Sequence, residues 1–473
     1  MRLKREAWEA VKGWALAVLV LLSLGLSARV WLGAGGGYPL VPEREYYRAA
    51  SPGSWRQELT KLLAPSRLVV HLGEGRHTAF RPGQDGYQRF WAGLFPLLSQ
   101  GQYPAQGWVP QDPEAVQRLR DGPGLEAVFP VSLPIEVWAE AWGGQASGQA
   151  GSQGPVLVDA VFVGLGDPPQ LLIHRAYTQV YLAPAAPGGA VLEVAGLRQL
   201  LSGLQGSRAA PYVELVSPHP GVPVRRGIYV PEQPPRLAPV AMGEEAGAGS
   251  DPVAEFFPDP SVVREMVERD GATIYTDGRR SLRVYPDGEL EYQAPVGPEE
   301  GESLPPLEVL RRAVEFVALH RGFPEDACLS QVDFPPFTPL SRGAVPYRLT
   351  YMARHLGLPV VNEEGMLEVS MTGDVVSSYR RHVRIPAGPL GEPRPVISAR
   401  QVLDLLNRRP ELLGGEGGPA RMVTDVYLAY ICVGGADRAV PTWAVELEGG
   451  RLLFFDAFSG EGWSWTGGKL EPF

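Results

Sequence analysis

Cysteine is scarce in this sequence. Cys328 and Cys432 are the two thiols among 473 residues, and they lie far apart in the chain. A disulfide scaffold would contain several cysteines, and a zinc module would contain pairs at short spacing. Both classes are therefore excluded. We interpret the two residues as free, buried thiols; one long-range disulfide is the alternative, because the N-terminus predicts a position outside the cytoplasm.

Positive charge is also in short supply. The chain has 43 Lys and Arg against 53 Asp and Glu, which gives a formal net charge of -10. A nucleic-acid-binding surface needs a basic patch or stripe, so no nucleic-acid partner is predicted. The composition, with 44% hydrophobic and 20% charged residues, is that of a folded protein, and its length predicts several domains.

The catalytic motifs that short patterns reveal are missing. The seven histidines form no His-Glu-x-x-His helix, and the sequence has no Cys-x-x-Cys pair, Gly-x-Ser-x-Gly elbow or Ser-x-x-Lys motif. His71 and His77 could meet across a turn and bind a metal, but surface histidines beside strands are far commoner. We therefore predict no catalytic residue, no cofactor and no metal ion, and a protein that is not an enzyme.

A hydrophobic run near the N-terminus predicts a membrane anchor. Residues 1–12 are basic and predict a short cytoplasmic tail, and residues 13–34 are long enough for a helix across a bilayer core of about 30 Å. The positive-inside rule then places everything that follows outside the cytoplasm. A cleaved signal peptide is the alternative. No second run of comparable length follows, so the prediction is a single-pass cell-membrane protein.

One face of this predicted helix could contact another membrane helix. Small residues let two transmembrane helices approach closely, although they are also common in such helices without a partner. The candidate interaction face consists of Gly13, Ala17, Val20, Leu24 and Ser27.

The residues after the predicted membrane helix have a sequence pattern that predicts several α+β units. A linker (35–53) leads to an N-terminal α/β domain, a second linker follows, and two smaller α+β domains of similar plan complete the chain. In the first domain, 65–82 predicts a hairpin, 86–101 a helix, and 124–142 an edge strand or extended segment because of its prolines. The predicted bounds are 54–230 for the N-terminal domain, 231–252 for the second linker, 253–390 for the middle domain and 391–473 for the C-terminal domain.

The stretch from Phe257 to Pro295 raises the question of a metal loop. Its sequence predicts a helix over 262–270, capped by the segment Asp259-Pro260-Ser261 and ended at Gly271, followed by a three-stranded meander. Asp-Gly pairs between alternating strands are strong turn signals, and the acidic residues lack the spacing of calcium ligands. We interpret the block as architecture, with structural turns at Asp277, Gly278, Asp287 and Gly288.

The order of these features resembles the YycH family. The chain combines a basic tail, a single anchor, "PSRLVVHLGE", "EAVFPVSLPIEVW" and the block "FFPDPSVVREMVERDGATIYTDGRRSLRVYPDGELEYQAP", and it ends with "VPTWAVELEGGRLLFFDAFSGE". The Phe-x-Asp-Pro-Ser opening, the Tyr-Thr-Asp-Gly turn and the Leu-Glu-Tyr strand are similar to that family's signature. YycH proteins are membrane-anchored regulators of the WalK/WalR (YycG/YycF) two-component system in Gram-positive bacteria, a signal-transduction pathway that governs cell-wall metabolism.

The resemblance implies a function without catalysis. It implies two protein partners, a WalK/YycG-like sensor histidine kinase and a YycI-like single-pass membrane protein, reached through transmembrane and exterior contacts. Two alternatives stay open. One is an extracytoplasmic cell-wall enzyme or inhibitor, and the other is an assembly factor of the wall-synthesis machinery.

Overall fold

Antiparallel sheets dominate the fold, and eight α-helices pack around them in the part of the chain that the structure describes. The structure is a computed structural model that describes residues 54–104, 107–147, 156–176, 180–184, 193–204, 209–244, 251–295, 304–333, 346–362, 365–414, 420–432, 437–466 and 469–473. All of these residues belong to one compact unit. The predicted α+β class with antiparallel sheets is confirmed.

The predicted tail, membrane helix and first linker, residues 1–53, lie outside the described residues. None of the helices formed by the described residues has the length and apolar character needed to span a bilayer. In chain order these helices are α1 Ser54–Leu62, α2 Asp85–Ser99, α3 Pro113–Asp121, α4 Ile135–Trp142, α5 Ala195–Leu204, α6 Pro252–Phe256, α7 Pro306–Leu319 and α8 Ala399–Asn407.

The N-terminal half forms a nine-stranded sheet. Its region contains β1 Arg67–Gly73, β2 Arg76–Phe80, β3 Gln102–Pro104, β4 Trp108–Pro110, β5 Pro123–Pro134, β6 Gln145–Ser147, β7 Leu157–Gly164, β8 Gln170–Arg175, β9 Val180–Pro184, β10 Tyr212–Glu214 and β11 Tyr229–Pro231. The strand order is β11-β10-β2-β1-β5-β7-β8-β9-β4, and every neighbouring pair in this order is antiparallel. The short strands β3 and β6 pair separately.

The rest of the chain forms a sixteen-stranded sheet and one small strand pair. Its strands are β12 Arg236–Leu237, β13 Val240–Glu244, β14 Arg264–Val267, β15 Thr273–Thr276, β16 Ser281–Val284, β17 Leu290–Gln293, β18 Cys328–Asp333, β19 Tyr347–His355, β20 Leu358–Val361, β21 Leu367–Thr372, β22 Val375–Arg381, β23 Arg384–Pro389, β24 Arg394–Pro395, β25 Val423–Ile431, β26 Arg438–Leu447, β27 Arg451–Asp456, β28 Gly462–Thr466 and β29 Lys469–Pro472. The main path runs β14-β15-β16-β17-β22-β21-β19-β20-β25-β26-β27-β28-β29. Strands β20 and β25 pair in parallel and thereby join two antiparallel meanders.

Each of these meanders follows a helix. Helix α7 precedes β18, β19, β21 and β22, and α8 precedes β25, β26, β27 and β28. Ser398 caps α8 through a capping box with Gln401, which satisfies two backbone donors at the helix start. Helix followed by antiparallel strands therefore occurs twice, as the sequence pattern predicts.

The predicted helix at 86–101 corresponds to α2, which packs on the nine-stranded sheet and on α5. Tyr87, Phe90 and Leu94 repeat at the spacing of one helix face and are buried. At Gly93 an added Cβ would lie 2.9 Å from Leu197 of α5, so glycine permits the close approach of the two helices. Burying each large apolar side chain stabilises the fold by about 1.5 to 3 kcal/mol.

The prediction of an edge strand or extended segment at 124–142 was right about the extended backbone of residues 123–134, and wrong about the edge position and about residues 135–142. The structure places β5 in the interior of the nine-stranded sheet, between β1 and β7, and follows it with α4. Proline removes a ladder donor, which is why a central strand was not expected. Here the pairing of β5 with β7 shifts register between Val128 and Leu133, where Pro130 lies, and Pro134 stands at the start of α4. The irregularity and the helix start accommodate both prolines.

The predicted helix over 262–270 was wrong. Asp259 does cap a turn, but that turn is a short 3-10 helix, Pro260–Val262, and the chain continues as β14. Val262, Val263 and Val267 are β-branched and favour a strand when a partner strand is present, and β15 supplies that partner. The meander therefore has four strands, and β14 is exposed at its edge.

Residues 236–244 lie inside the stretch predicted as the second linker, yet they form strands. β12 pairs with β24, and β13 pairs with both β23 and β26. The chain is thus bonded to the later sheet at this point, while the domain boundaries themselves stay predictions. Cys328 and Cys432 are both free and buried, which confirms the interpretation as two unpaired thiols.

Candidate functional site

A cleft of about 400 Å³ lies between the nine-stranded sheet and the later sheet. We call it the cleft. Residues of β1, β2, β5, β10 and β11 line one side, and residues of β19, β20, β25, β26 and β27 line the other. This volume lies within the roughly 300 to 1,000 Å³ that is usual for small-molecule sites. The cleft therefore has a volume suited to binding a small molecule.

A smaller polar recess of about 120 Å³ adjoins the cleft. The two share lining residues, among them Arg67, Asp425 and Glu446, and the recess also contacts Asp159 and His174. Charged groups are rarely placed between two sheets unless each has a partner. The partners of these groups therefore decide what the recess can do.

Arg67 and Asp425 connect the two sheets. Nη2 of Arg67 lies 2.7 Å from each carboxylate oxygen of Asp425, and both side chains are 13% exposed. Arg67 belongs to β1 and Asp425 to β25, next to a register shift in the pairing of β25 with β26. A charge-assisted pair at low exposure is among the stronger polar contacts available to a protein.

His174 in the recess has a defined tautomer. Arg225 donates from Nη1 to Nε2 of His174 at 3.0 Å, so Nε2 is the acceptor and Nδ1 carries the proton. Nδ1 then donates to Oδ1 of Asp159 at 2.5 Å. These two hydrogen bonds fix the imidazole in place, and they leave it no free nitrogen for metal binding or proton transfer.

A second buried network joins helix α3 to the nine-stranded sheet. Arg120 donates from Nη2 to Oε1 of Glu126 at 3.0 Å and to the hydroxyl of Tyr181 at 2.7 Å, and Tyr181 also donates to Glu126. Burial alone would raise the pKa of Glu126, but the Arg120 guanidinium outweighs it and lowers that pKa well below its usual range. The carboxylate is thus held ionised by its neighbours.

His71 and His77 do meet, as their positions before and after a turn allowed. They are partners in the pairing of β1 with β2, and their Nδ1 atoms lie 2.9 Å apart. Both are buried rather than on the surface, and burial lowers the pKa of His71 and lowers that of His77 to about 4. Neutral imidazoles can share one hydrogen bond, so the geometry is that of a buried polar pair.

One group of side chains has the spacing of metal ligands. Ligand atoms of Asp287, Glu289 and His382 lie within 4.8 Å of one another. Arg380 donates to Glu289 at 2.6 Å, and Arg384 donates to His382 at 3.3 Å. The arginines supply positive charge at the point where an ion would have to bind, so these residues form an ion-pair cluster.

The four predicted turn residues lie in hairpin loops. Gly278 has φ +86° and Gly288 has φ +85°, a backbone conformation that favours glycine. Oδ1 of Asp277 accepts from the backbone N–H groups of Arg279 and Arg280, and Oδ1 of Asp287 accepts from that of Glu289. The predicted interaction face, residues 13, 17, 20, 24 and 27, lies outside the described residues.

Sequence reasoning missed the residues that line the cleft. A signal existed, because Asp425 and Glu446 are acidic residues within largely apolar strands and Arg67 begins another such strand. A charge in such a strand marks a position that is either an error in the strand prediction or a paired site. The pairing itself could not be read, since Arg67 and Asp425 are 358 residues apart in the chain.

The fold and cleft define a class: an α+β body with two large, mainly antiparallel sheets that both line one cleft. Among solved structures, YycH from Bacillus subtilis has this fold, with a TM-score of 0.56, 15% identity, and coverage of 88% of this chain and 96% of that one. An uncharacterized protein from Eubacterium rectale matches with a TM-score of 0.35 and 12% identity over 53% of this chain and 92% of its own, too weakly to support an inference. No family model matches the chain, and no curated protein matches its sequence. The fold is therefore YycH-like.

Glu446 makes the cleft sensitive to pH. Burial, followed by the negative charges of Asp425 and Asp159, raises its pKa to about 7 from an ordinary 4.5. A carboxyl with a raised pKa stabilises the fold fully below its ordinary pKa, and this contribution is lost as pH rises through about 7. We expect Glu446→Gln to raise the free energy of unfolding by roughly 1 to 3 kcal/mol at alkaline pH and to leave it unchanged in acid.

The measurement is urea unfolding of both proteins across this pH range. Glu448→Gln, two residues further along at an exposed position, is the matched control and should follow the wild type at every pH. A stability difference between Glu446→Gln and wild type that does not change with pH would contradict the raised pKa.

Proposed function

We propose that this protein is a membrane-anchored, extracytoplasmic regulator of a sensor histidine kinase. The observation that carries the proposal is the YycH-like fold, which extends over 88% of this chain and 96% of YycH from Bacillus subtilis. The resemblance in sequence order, from the basic tail to the "VPTWAVELEGG" segment, supports it independently. We infer that the protein acts by binding other proteins and not by catalysis.

The anchor is part of this proposal. Residues 13–34 would form a single membrane helix, with residues 1–12 in the cytoplasm and the folded body outside the cell. In this proposal the protein influences the kinase through contacts between membrane helices or between exterior domains.

The partners in this proposal are a WalK/YycG-like kinase and a YycI-like single-pass protein. A regulator of this kind requires only a different affinity for two conformations of the kinase. To convert the kinase almost completely from one conformation to the other, the regulator must bind the favoured conformation more tightly by about 5.5 kcal/mol. A smaller difference in binding free energy shifts the two populations in part. Binding energy, without chemistry, is sufficient for such a function.

A pull-down from solubilised membranes tests the proposal. Tagged full-length protein should recover a sensor kinase and a second single-pass protein. A version in which residues 13–34 are replaced by an unrelated membrane helix should recover neither if the helix makes the contact. Recovery that survives the replacement would move the contact to the exterior body.

A matched pair of substitutions tests the predicted face. Ala17→Leu places bulk on the stripe, whereas Ala15→Leu places the same bulk about 200° around the same helix. We expect the first to weaken recovery of the partners and the second to leave it intact, because close helix approach needs small residues. If full-length protein recovers neither partner, the kinase proposal is wrong, and assays for wall binding and wall hydrolysis become the next experiments.

A further inference from the structure

Among the described residues, the cleft contains one arginine whose guanidinium has neither a counter-charge nor a hydrogen bond. Four arginines line it, and three have partners: Arg67 pairs with Asp425, Arg348 with Glu368, and Arg354 donates to the backbone oxygen of Ala64. The fourth, Arg81, has no hydrogen bond or ion pair to its guanidinium among the described residues.

Arg81 is held in this position by the surrounding backbone. It follows β2, and its own N–H donates to the side chain of Gln84 at 2.8 Å. Gly357, with φ +73°, lies so close that an added Cβ would stand 2.3 Å from the Pro82 oxygen and 2.9 Å from Cβ of Arg81. The turn between β19 and β20 thus packs directly on Arg81.

The side chain of Arg81 is partly withdrawn from water. Arg81 is partly buried, and desolvation lowers its pKa from the ordinary value. Removing a charge from water without a partner is unfavourable, and folded proteins normally pair such a group. A binding site often leaves one charge unpaired because the ligand supplies the missing one.

The rest of the cleft offers an apolar surface. Met352, Tyr427, Leu452 and Trp465 line it, are partly buried, and pack against a buried cluster of the later sheet. From the opposite side Tyr212 contributes an aromatic ring close to Arg81. Aromatic and aliphatic walls around a few polar groups are the usual composition of a small-molecule site.

The carboxylates of the cleft do not oppose an anion strongly. Asp425 and Glu368 are neutralised by their arginines, and Glu446 is partly protonated near neutral pH because burial raises its pKa to about 7. Among the described residues, the cations without an acidic partner that a ligand would meet in the cleft are therefore Arg81 and Arg354, of which Arg354 already donates to a backbone oxygen.

From this geometry we infer that the cleft binds a small organic anion. Its carboxylate or phosphate would contact Arg81, and its apolar part would pack against the side chains of Met352, Tyr427, Leu452 and Trp465. The volume of about 400 Å³ accommodates a drug-sized molecule. This site does not depend on the proposed kinase interaction. It would make the protein a receptor for a soluble metabolite as well as a protein-binding regulator.

The test uses two probes of the same shape and different charge, biphenylbutyrate and its neutral amide, biphenylbutyramide. Full-length protein in lipid nanodiscs is titrated with each by calorimetry, and empty nanodiscs give the blank. We expect the carboxylate to bind at least tenfold more tightly than the amide, because a charge-assisted hydrogen bond contributes at this level. This comparison uses wild-type protein alone and does not depend on whether any variant folds.

Arg81→Gln should remove this preference and lower the carboxylate affinity at least tenfold, whereas Arg81→Lys should retain part of it. Arg400→Gln, an exposed arginine of α8 that does not line the cleft, is the control for loss of one positive charge. Equal affinity of acid and amide, an Arg81→Gln variant that binds as wild type does, or no binding of either probe would each overturn the inference.

Discussion

Replacing Glu126 by Gln should lower the free energy of unfolding by about 3 to 5 kcal/mol. The substitution preserves shape but leaves the guanidinium of Arg120 buried without a negative partner, and it disturbs the hydrogen bond from Tyr181. Arg120 and Glu126 side chains are 6% and 4% exposed, so water cannot replace the lost charge. Urea unfolding followed by circular dichroism measures the loss.

Two comparisons make this result specific. Glu140→Gln removes one partner of an exposed pair, whose side chains are 60% and 43% exposed, and should cost less than about 1 kcal/mol. Replacing the buried pair as a whole, by Arg120→Met with Glu126→Leu, should recover part of the loss, because no unpaired charge remains. A loss below about 1 kcal/mol for Glu126→Gln would contradict the role assigned to the pair.

The pH dependence of this effect has a definite sign. The pKa of Glu126 is lowered in the folded protein, so its stabilising contribution is present above the ordinary carboxyl pKa of 4.5 and is lost as pH falls through the lower, folded value. The difference in the free energy of unfolding between wild type and Glu126→Gln should therefore become smaller as the pH is lowered. Glu446 behaves in the opposite way, and the two residues can be distinguished by pH alone.

The second large effect is expected at the contact between the two sheets. Asp425→Ala leaves Arg67 without its counter-charge at a position where both side chains are 13% exposed, and we expect a loss of about 3 to 5 kcal/mol. Amide hydrogen exchange should rise in β1 and β25, the strands that hold the pair, more than in strands remote from the cleft.

A double-mutant cycle separates this contact from the two residues' other roles. Arg67→Ala, Asp425→Ala and the double variant should give an interaction free energy of up to about 3 kcal/mol. The same cycle on the exposed pair Arg56 and Glu140 should give less than about 1 kcal/mol. Additive effects of Arg67→Ala and Asp425→Ala would show that the pair does not couple the sheets.

Local patterns determined much of the fold. The periodic apolar residues of α2 and α7, the cap at Ser398 and the glycines of the β1–β2 turn each act within a few residues, so they could be read directly from the sequence. The α+β class, the hairpins and the resemblance to YycH depend on such features. The predicted anchor at 13–34 rests on the same kind of reasoning.

The other features of the fold depend on contacts between residues that are distant in the sequence. Residues Arg264–Val267 form a strand because β15 lies beside them, and β5 tolerates its prolines because its pairing with β7 is irregular at that point. The cleft depends on the same kind of contact. Arg67 obtains its counter-charge from Asp425 only when the two sheets meet. Charge pairing across hundreds of residues has no local signal, so only the tertiary structure could decide it.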